Sequence, residues 1–91
     1  MVTMKDIRNV VLQEIEERFN PFRIQTLGDS DVDSIEVMSK PGFPVISVDF
    51  GEDVEVYRTT DPDDVKMLIP ADPDFIDRLC EALDYFYVPR R

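Results

Sequence analysis

Carboxylates are the side chains that this sequence carries in excess and that could do chemistry. Twenty Asp and Glu stand against ten Lys and Arg, and seven of the acids fall in or beside three short polar segments. Calcium takes about six to eight oxygen ligands in a flexible geometry, so carboxylates from several turns can share one ion. We therefore predict a weak Ca²⁺ site formed by Asp29, Asp31, Asp33, Glu52, Asp53, Asp72 and Asp74.

The first three of these acids repeat the alternate-aspartate spacing that opens an EF-hand loop. That loop needs glycine at its sixth position and glutamate at its twelfth, where this chain has Ser34 and Lys40. It also needs flanking helices, whereas the pattern here predicts strands. The segment is not an EF-hand, and it supplies only part of a calcium shell. The alternative is that these are ordinary turn-forming, solubilising aspartates.

Other metal and catalytic chemistry has little support. The chain has no histidine and one cysteine, so it lacks the nitrogen and thiolate ligands that zinc and copper prefer. Cys80 falls on an apolar helical stripe, which favours a small buried hydrophobe over a reactive thiol. The adjacent Asp63 and Asp64 lie in a polar segment instead of a cleft, and no nucleophile or phosphate-loop motif is present. We predict a protein that is not an enzyme.

A helix is predicted at each end of the sequence. Thr3 is a suitable N-cap for the first, with Asp6 three residues later, and Asn20 followed by Pro21 ends it. Asp72 is a suitable N-cap for the second, with Pro73 at the first helical position and Pro89 as the stop. The apolar stripes are Ile7, Val11, Ile15 and Phe19 in the first helix, and Ile76, Leu79, Cys80, Leu83, Phe86 and Tyr87 in the second.

Four or five strands are predicted between the helices. Pro44–Thr59 alternates apolar and polar residues on both sides of the turn Gly51–Asp53, which is typical of a hairpin with one buried face. Phe22–Leu27 and Ser34–Ser39 have the same strand-like character. Thr60–Asp64 has the composition of a loop, and Val65–Ile69 is either a fifth strand or a short helical turn.

The fold class predicted from this order is α+β, with one domain over residues 1–91. Short connections favour an antiparallel meander that packs both helices on one face. In a meander the turns after the first, third and fifth strands emerge at the same end of the sheet. That topology would bring the seven predicted calcium ligands to a single edge.

The net charge of −10 restricts the partners of this chain. Its field repels nucleic-acid backbones and anionic membranes, and it attracts cations and basic protein surfaces. No leader-like or membrane-spanning segment is evident in the sequence, so we expect the cytoplasm. The alternative to a calcium-binding role is therefore an acidic interaction module or inhibitor that docks a basic protein surface, including one that normally holds nucleic acid.

Overall fold

The computed structural model describes residues 4–27 and 33–87, and the side chains of residues 6–27 and 34–86. Its five strands form one antiparallel sheet in the order β1-β2-β3-β4-β5, which confirms the predicted meander. The fold is thus α+β, with a helix on either side of the strands in sequence. The elements are α1 Met4–Phe19, β1 Arg23–Leu27, β2 Asp33–Met38, β3 Ile46–Phe50, β4 Val54–Arg58, β5 Asp61–Leu68 and α2 Phe75–Tyr87.

The first helix ends where the sequence predicts. Asn20 adopts a left-handed backbone conformation with φ of 44°, directly after Phe19 and before Pro21. Asparagine tolerates this conformation better than most residues, and it commonly occupies the position just beyond a helix. The chain therefore turns at Asn20 and enters β1. The predicted N-cap, Thr3, lies outside the described residues.

The fifth strand exists, and it begins earlier than predicted. β5 starts at Asp61, so the polar segment Asp61–Asp64 belongs to the strand and not to a loop. Arg58 pairs with Asp61, whereas Tyr57 pairs with Val65, and this shift in register accommodates the extra residues. Pairing with β4 at Asp61 and again at Val65 holds both ends of this segment in the sheet despite its turn-like composition.

The second helix begins later than predicted. The prediction that Asp72 caps it is wrong, because the first described helical residue is Phe75. The N–H of Phe75 donates to the carbonyl of Asp72 at 3.1 Å, forming a turn before the helix, and the N–H of Arg78 donates to the carbonyl of Asp74 at 2.9 Å. Asp74 therefore occupies the N-cap position. Neither described helix has the length and apolar character needed to cross a membrane.

Both helices pack on one face of the sheet, as predicted. The alternation seen in the sequence is present in three dimensions, because Ile46, Val48 and Phe50 are all buried, as are Val54 and Val56. These side chains join those of both helices in one hydrophobic cluster. The helical contribution to the buried core consists of Val11 and Ile15 from α1 and Phe75, Leu79, Ala82, Leu83 and Phe86 from α2. The opposite face of the sheet has no described helix over it.

Candidate functional site

The uncovered face of the sheet is defined by the strand register. Residues directly opposite each other on neighbouring strands point to the same side. One row across this face runs through all five strands, and the next row lies closer to the end where the β3–β4 turn emerges. The rows are Gln25, Glu36, Ser47, Tyr57 and Val65, then Leu27, Ser34, Asp49, Glu55 and Met67.

The centre of this face is acidic. Glu36, Asp49 and Glu55 lie on it, and Glu52 and Asp53 are exposed in the adjoining turn. We refer to these five residues as the acidic sheet face. The segments 33–38 and 46–57, which supply it, contain no Lys or Arg. Like charges concentrated in this way produce a local negative potential that screening by salt weakens.

Neutral donors hold two of these carboxylates in place. The Ser47 hydroxyl donates to Oδ1 of Asp49 at 2.9 Å, and the Tyr57 hydroxyl donates to Oδ2 at 2.7 Å. Across the neighbouring strands, Nε2 of Gln25 donates to Oε1 of Glu36 at 2.8 Å. Because serine, tyrosine and glutamine are uncharged, these hydrogen bonds orient the carboxylates without neutralising them. The acidic sheet face is thus partly preorganised.

The hydrogen bond to Asp49 raises the pKa of Tyr57, with a further contribution from partial burial. A raised pKa means that Tyr57 stabilises the fold below about pH 10 and that this contribution is lost as pH rises through the folded-state pKa. We expect Tyr57→Phe to lower the free energy of unfolding by about 1 kcal/mol at neutral pH. The deficit should shrink above about pH 10, as measured by urea denaturation of both proteins.

Asp49→Asn is the control for that prediction, because it removes the carboxylate that is the largest cause of the Tyr57 shift. In the Asp49→Asn background, the effect of Tyr57→Phe should depend much less on pH. A Tyr57→Phe deficit that stays constant from neutral pH into the alkaline range would contradict the assigned hydrogen bond.

The predicted calcium ligands are only partly described. Asp29 and Asp31 lie outside the described residues, and Asp33 is described only as a backbone position in β2. Glu52 and Asp53 are exposed, Asp72 is half-buried, and Asp74 is exposed. Among the described side chains, no three Asp, Glu or Cys residues are grouped closely enough to hold a metal ion. The calcium site therefore stays a prediction.

Asp74 already has a cationic partner within its own helix. Its Oδ2 lies 2.8 Å from Nε of Arg78, and this contact lowers the pKa of Asp74 and raises the pKa of Arg78. Both side chains are at least half exposed, so the pair contributes little to stability. A calcium ion bound through Asp74 would have to compete with this arginine.

Cys80 is half-buried next to Arg18, on the side of α2 that faces α1. Burial raises the pKa of its thiol, and the nearby Arg18 only partly offsets that effect. A raised pKa leaves little thiolate at neutral pH, and the thiolate is the nucleophilic form. The geometry thus favours the predicted small hydrophobe over a reactive cysteine.

Tyr85 links the end of α2 to the strands. Its hydroxyl donates to Oδ2 of Asp64 at 3.1 Å, and Nζ of Lys66 lies 4.5 Å from its ring centroid. Its ring also meets that of Phe86 edge to face, with centroids 4.9 Å apart. Of the three consecutive aromatic residues, Tyr85 is half-buried and Phe86 is buried, while the side chain of Tyr87 lies outside the described set.

The sequence-based prediction did not include Glu36, Asp49 and Glu55 among the functional candidates. Their only sequence signal is that they occupy the polar positions of alternating strands, a pattern that any solvated face produces. Ser47 and Tyr57 reach Asp49 only because β3 and β4 pair in the observed register.

Comparison of the chain with protein-family models, curated proteins and solved structures finds no match. Its function is therefore inferred from its own residues and their geometry.

Proposed function

We propose that this protein is a non-enzymatic, cytoplasmic interaction module whose acidic sheet face docks a basic protein surface. The observation that carries the proposal is that the central strands carry Glu36, Asp49 and Glu55 on a face with no described helix over it, next to Glu52 and Asp53. Partners whose basic surfaces otherwise hold nucleic acid fit this chemistry, because such surfaces present clustered Lys and Arg.

Charge complementarity of this kind accelerates association and selects the partner. The net charge of −10 attracts a basic protein from a distance, and the acidic sheet face concentrates the local field. Because Asp49 and Glu36 are already held by hydrogen bonds, they lose less conformational freedom when a lysine or arginine binds.

Apolar side chains lie at the two ends of the row that runs across the sheet through Asp49 and Glu55. Leu27 on β1 is 40% exposed, and Met67 on β5 is 61% exposed. Both are in the row that contains Asp49 and Glu55. A partner that spans the sheet could bury these side chains while its basic groups meet the carboxylates, and apolar contact supplies affinity that exposed ion pairs do not.

The test is an NMR titration of the isotope-labelled protein with a lysine- and arginine-rich peptide. We expect the largest shifts in β2, in β3 and at residues 51–57, together with an affinity that falls steeply as sodium chloride is raised from about 0.05 to about 0.3 M. Shifts spread evenly over the helices would contradict a docking surface on the sheet.

A matched pair of variants distinguishes binding to the acidic sheet face from attraction by the overall charge of the protein. Glu36→Gln/Asp49→Asn/Glu55→Gln neutralises three acids on the sheet, and Glu16→Gln/Glu17→Gln/Glu81→Gln neutralises three exposed acids on the helices. Both variants have the same net charge. We expect the first to weaken peptide binding about tenfold, since exposed ion pairs contribute about 0.2–1 kcal/mol each, and the second to change it about twofold or less. Equal losses would mean that only total charge matters.

Calcium binding is retained as a second candidate because the turns after β3 and β5, which contain Glu52, Asp53 and Asp72, emerge at the same end of the sheet. The ion would neutralise that edge and stabilise the fold by mass action. Titration of the same labelled protein with calcium chloride at about 0.15 M ionic strength, with magnesium as control, tests it. The candidate requires saturable shifts at residues 29–33, 51–53 and 72–74, whereas linear shifts at every acidic residue would eliminate it.

A further inference from the structure

We propose that two copies of this chain associate through β5, with the two strands pairing antiparallel about a two-fold axis. β5 is an edge strand in the observed sheet order, and within residues 4–27 and 33–87 it is paired with β4 along one of its two backbone edges. A free edge presents unpaired N–H and C=O groups that another strand can satisfy. Pairing of two β5 strands would join the two sheets into one continuous sheet.

Exposed apolar side chains are concentrated on this edge. Of the six large hydrophobic residues that are exposed in the described part of the chain, three lie on β5 or directly after it. Val65 and Met67 lie on the uncovered side of the sheet, and Ile69 follows the strand. β1, the other edge strand, has Leu27 exposed and is directly preceded by the exposed Phe22, and it presents the polar Arg23 and Gln25 on the same face as Leu27. Covering β5 would therefore bury more exposed apolar side chains than covering β1.

The helix side of the same strand is also accessible. A groove of about 440 Å³ runs between the β5 segment 65–68 and α2, where Arg78, Glu81, Ala82 and Tyr85 line it. The groove borders β5 on its helix side, and Val65 and Met67 are exposed on the other side. The side chains of that strand would enter the groove on one side and cover Val65 on the other.

Charge complementarity identifies a second copy as the occupant. Asp64 and Lys66 lie on the helix side of β5, because both contact Tyr85. In antiparallel pairing centred on Val65, each Val65 meets Val65 of the second copy, and Asp64 lies opposite Lys66 of the second copy. The two-fold axis forms this pair twice, and opposite charges on directly paired residues stabilise a sheet. Met67 becomes a diagonal neighbour of Val65 of the second copy on the other side.

Two features make the association weak and dependent on salt. Pro62 cannot donate a backbone hydrogen bond, so it restricts the paired segment to a few residues, and such a seam buries less than the roughly 1,200 Å² of a stable interface. Each copy also has a net charge of −10, which opposes association at long range. Salt should therefore strengthen this dimer, whereas it should weaken the docking of a basic partner.

Sedimentation equilibrium of the full chain, at protein concentrations up to about 1 mM, tests the proposal. We expect mostly monomer at about 0.1 M sodium chloride and a dimer fraction that rises with protein concentration at about 1 M, where the Debye length has fallen from about 10 Å to about 3 Å. A protein that stays monomeric at the highest protein and salt concentrations would overturn the proposal.

A charge swap tests the register. At about 1 M sodium chloride, where differences in net charge are largely screened, Asp64→Lys or Lys66→Asp alone places like charges directly opposite each other, and each should weaken dimerisation several-fold. The double variant Asp64→Lys/Lys66→Asp keeps the net charge and should restore dimerisation, because the two-fold axis again sets opposite charges together. Leu27→Lys on the other edge strand should leave it unchanged, and thermal unfolding of each variant verifies that it is folded.

If the double variant dimerises no better than the single variants, the Val65-centred pairing is wrong. This test is independent of the proposed function, since it uses no basic peptide and alters none of the acidic sheet face.

Discussion

Replacement of Val48 by aspartate is expected to unfold the protein. Val48 is completely buried in β3, the central strand, where it lies opposite Ile35 and Val56 on the neighbouring strands. A carboxylate there would have apolar neighbours, and burying an unpaired charge costs several kcal/mol. Since a chain of this length has a total stability of about 5–14 kcal/mol, the loss removes most of it. Far-UV circular dichroism and amide proton dispersion measure the outcome.

Leu27→Asp is the control for that variant, because it introduces the same side chain at an exposed position of β1. The Leu27→Asp variant should stay folded and unfold cooperatively, and its free energy of unfolding should differ from that of the unaltered protein by less than about 1 kcal/mol. A Val48→Asp protein with a well-dispersed, native-like spectrum would be incompatible with the described core.

Truncation of Leu79 to alanine is expected to lower the free energy of unfolding by about 3 kcal/mol, within the range of about 2–5 kcal/mol seen for buried leucines. Leu79 is completely buried on the side of α2 that packs against the sheet. The variant loses apolar contact area and leaves a cavity that neighbouring side chains fill only in part. Urea denaturation followed by circular dichroism gives the difference directly.

Two neighbouring substitutions calibrate this value. Leu79→Met roughly conserves side-chain volume and should cost less than about 1.5 kcal/mol, and Glu81→Ala alters an exposed helical position and should change stability by about 0.5 kcal/mol or less. If Leu79→Ala cost no more than Glu81→Ala, then α2 would not be packed on the sheet as described.

Most of the fold was predictable because alternation in a strand has a direct structural meaning. Ile46, Val48 and Phe50 alternate with Ser47 and Asp49, so the apolar set points to the helix side of the sheet and the polar set to the other side, although Ser47 is itself buried. Short turns then favour pairing between consecutive strands, which leads to the meander. The start of β5 was not predictable in this way, because Asp61–Asp64 is turn-like by composition and is held in the sheet by the pairing of Asp61 and Val65, at its two ends, with β4.

The candidate site was much less predictable than the fold. The sequence shows where the acidic residues are, but it does not distinguish Glu36, Asp49 and Glu55 from ordinary solvated residues of a strand. Asp49 becomes an oriented group only when Tyr57, eight residues away, reaches it across a strand pair. Asp74 pairs with Arg78, which lies four residues later. Side chains at this spacing meet on a helix, and the helix that brings them together begins at Phe75.

By itself, then, the sequence determined the class of fold, the buried face of β2, β3 and β4 and the net negative charge, because these depend on residue type and spacing along one chain. Only the tertiary structure decided which acidic face stays uncovered and which edge strand has exposed apolar side chains. Both depend on the strand register and on where the helices pack. Those are relations between segments far apart in sequence, and no local pattern encodes them.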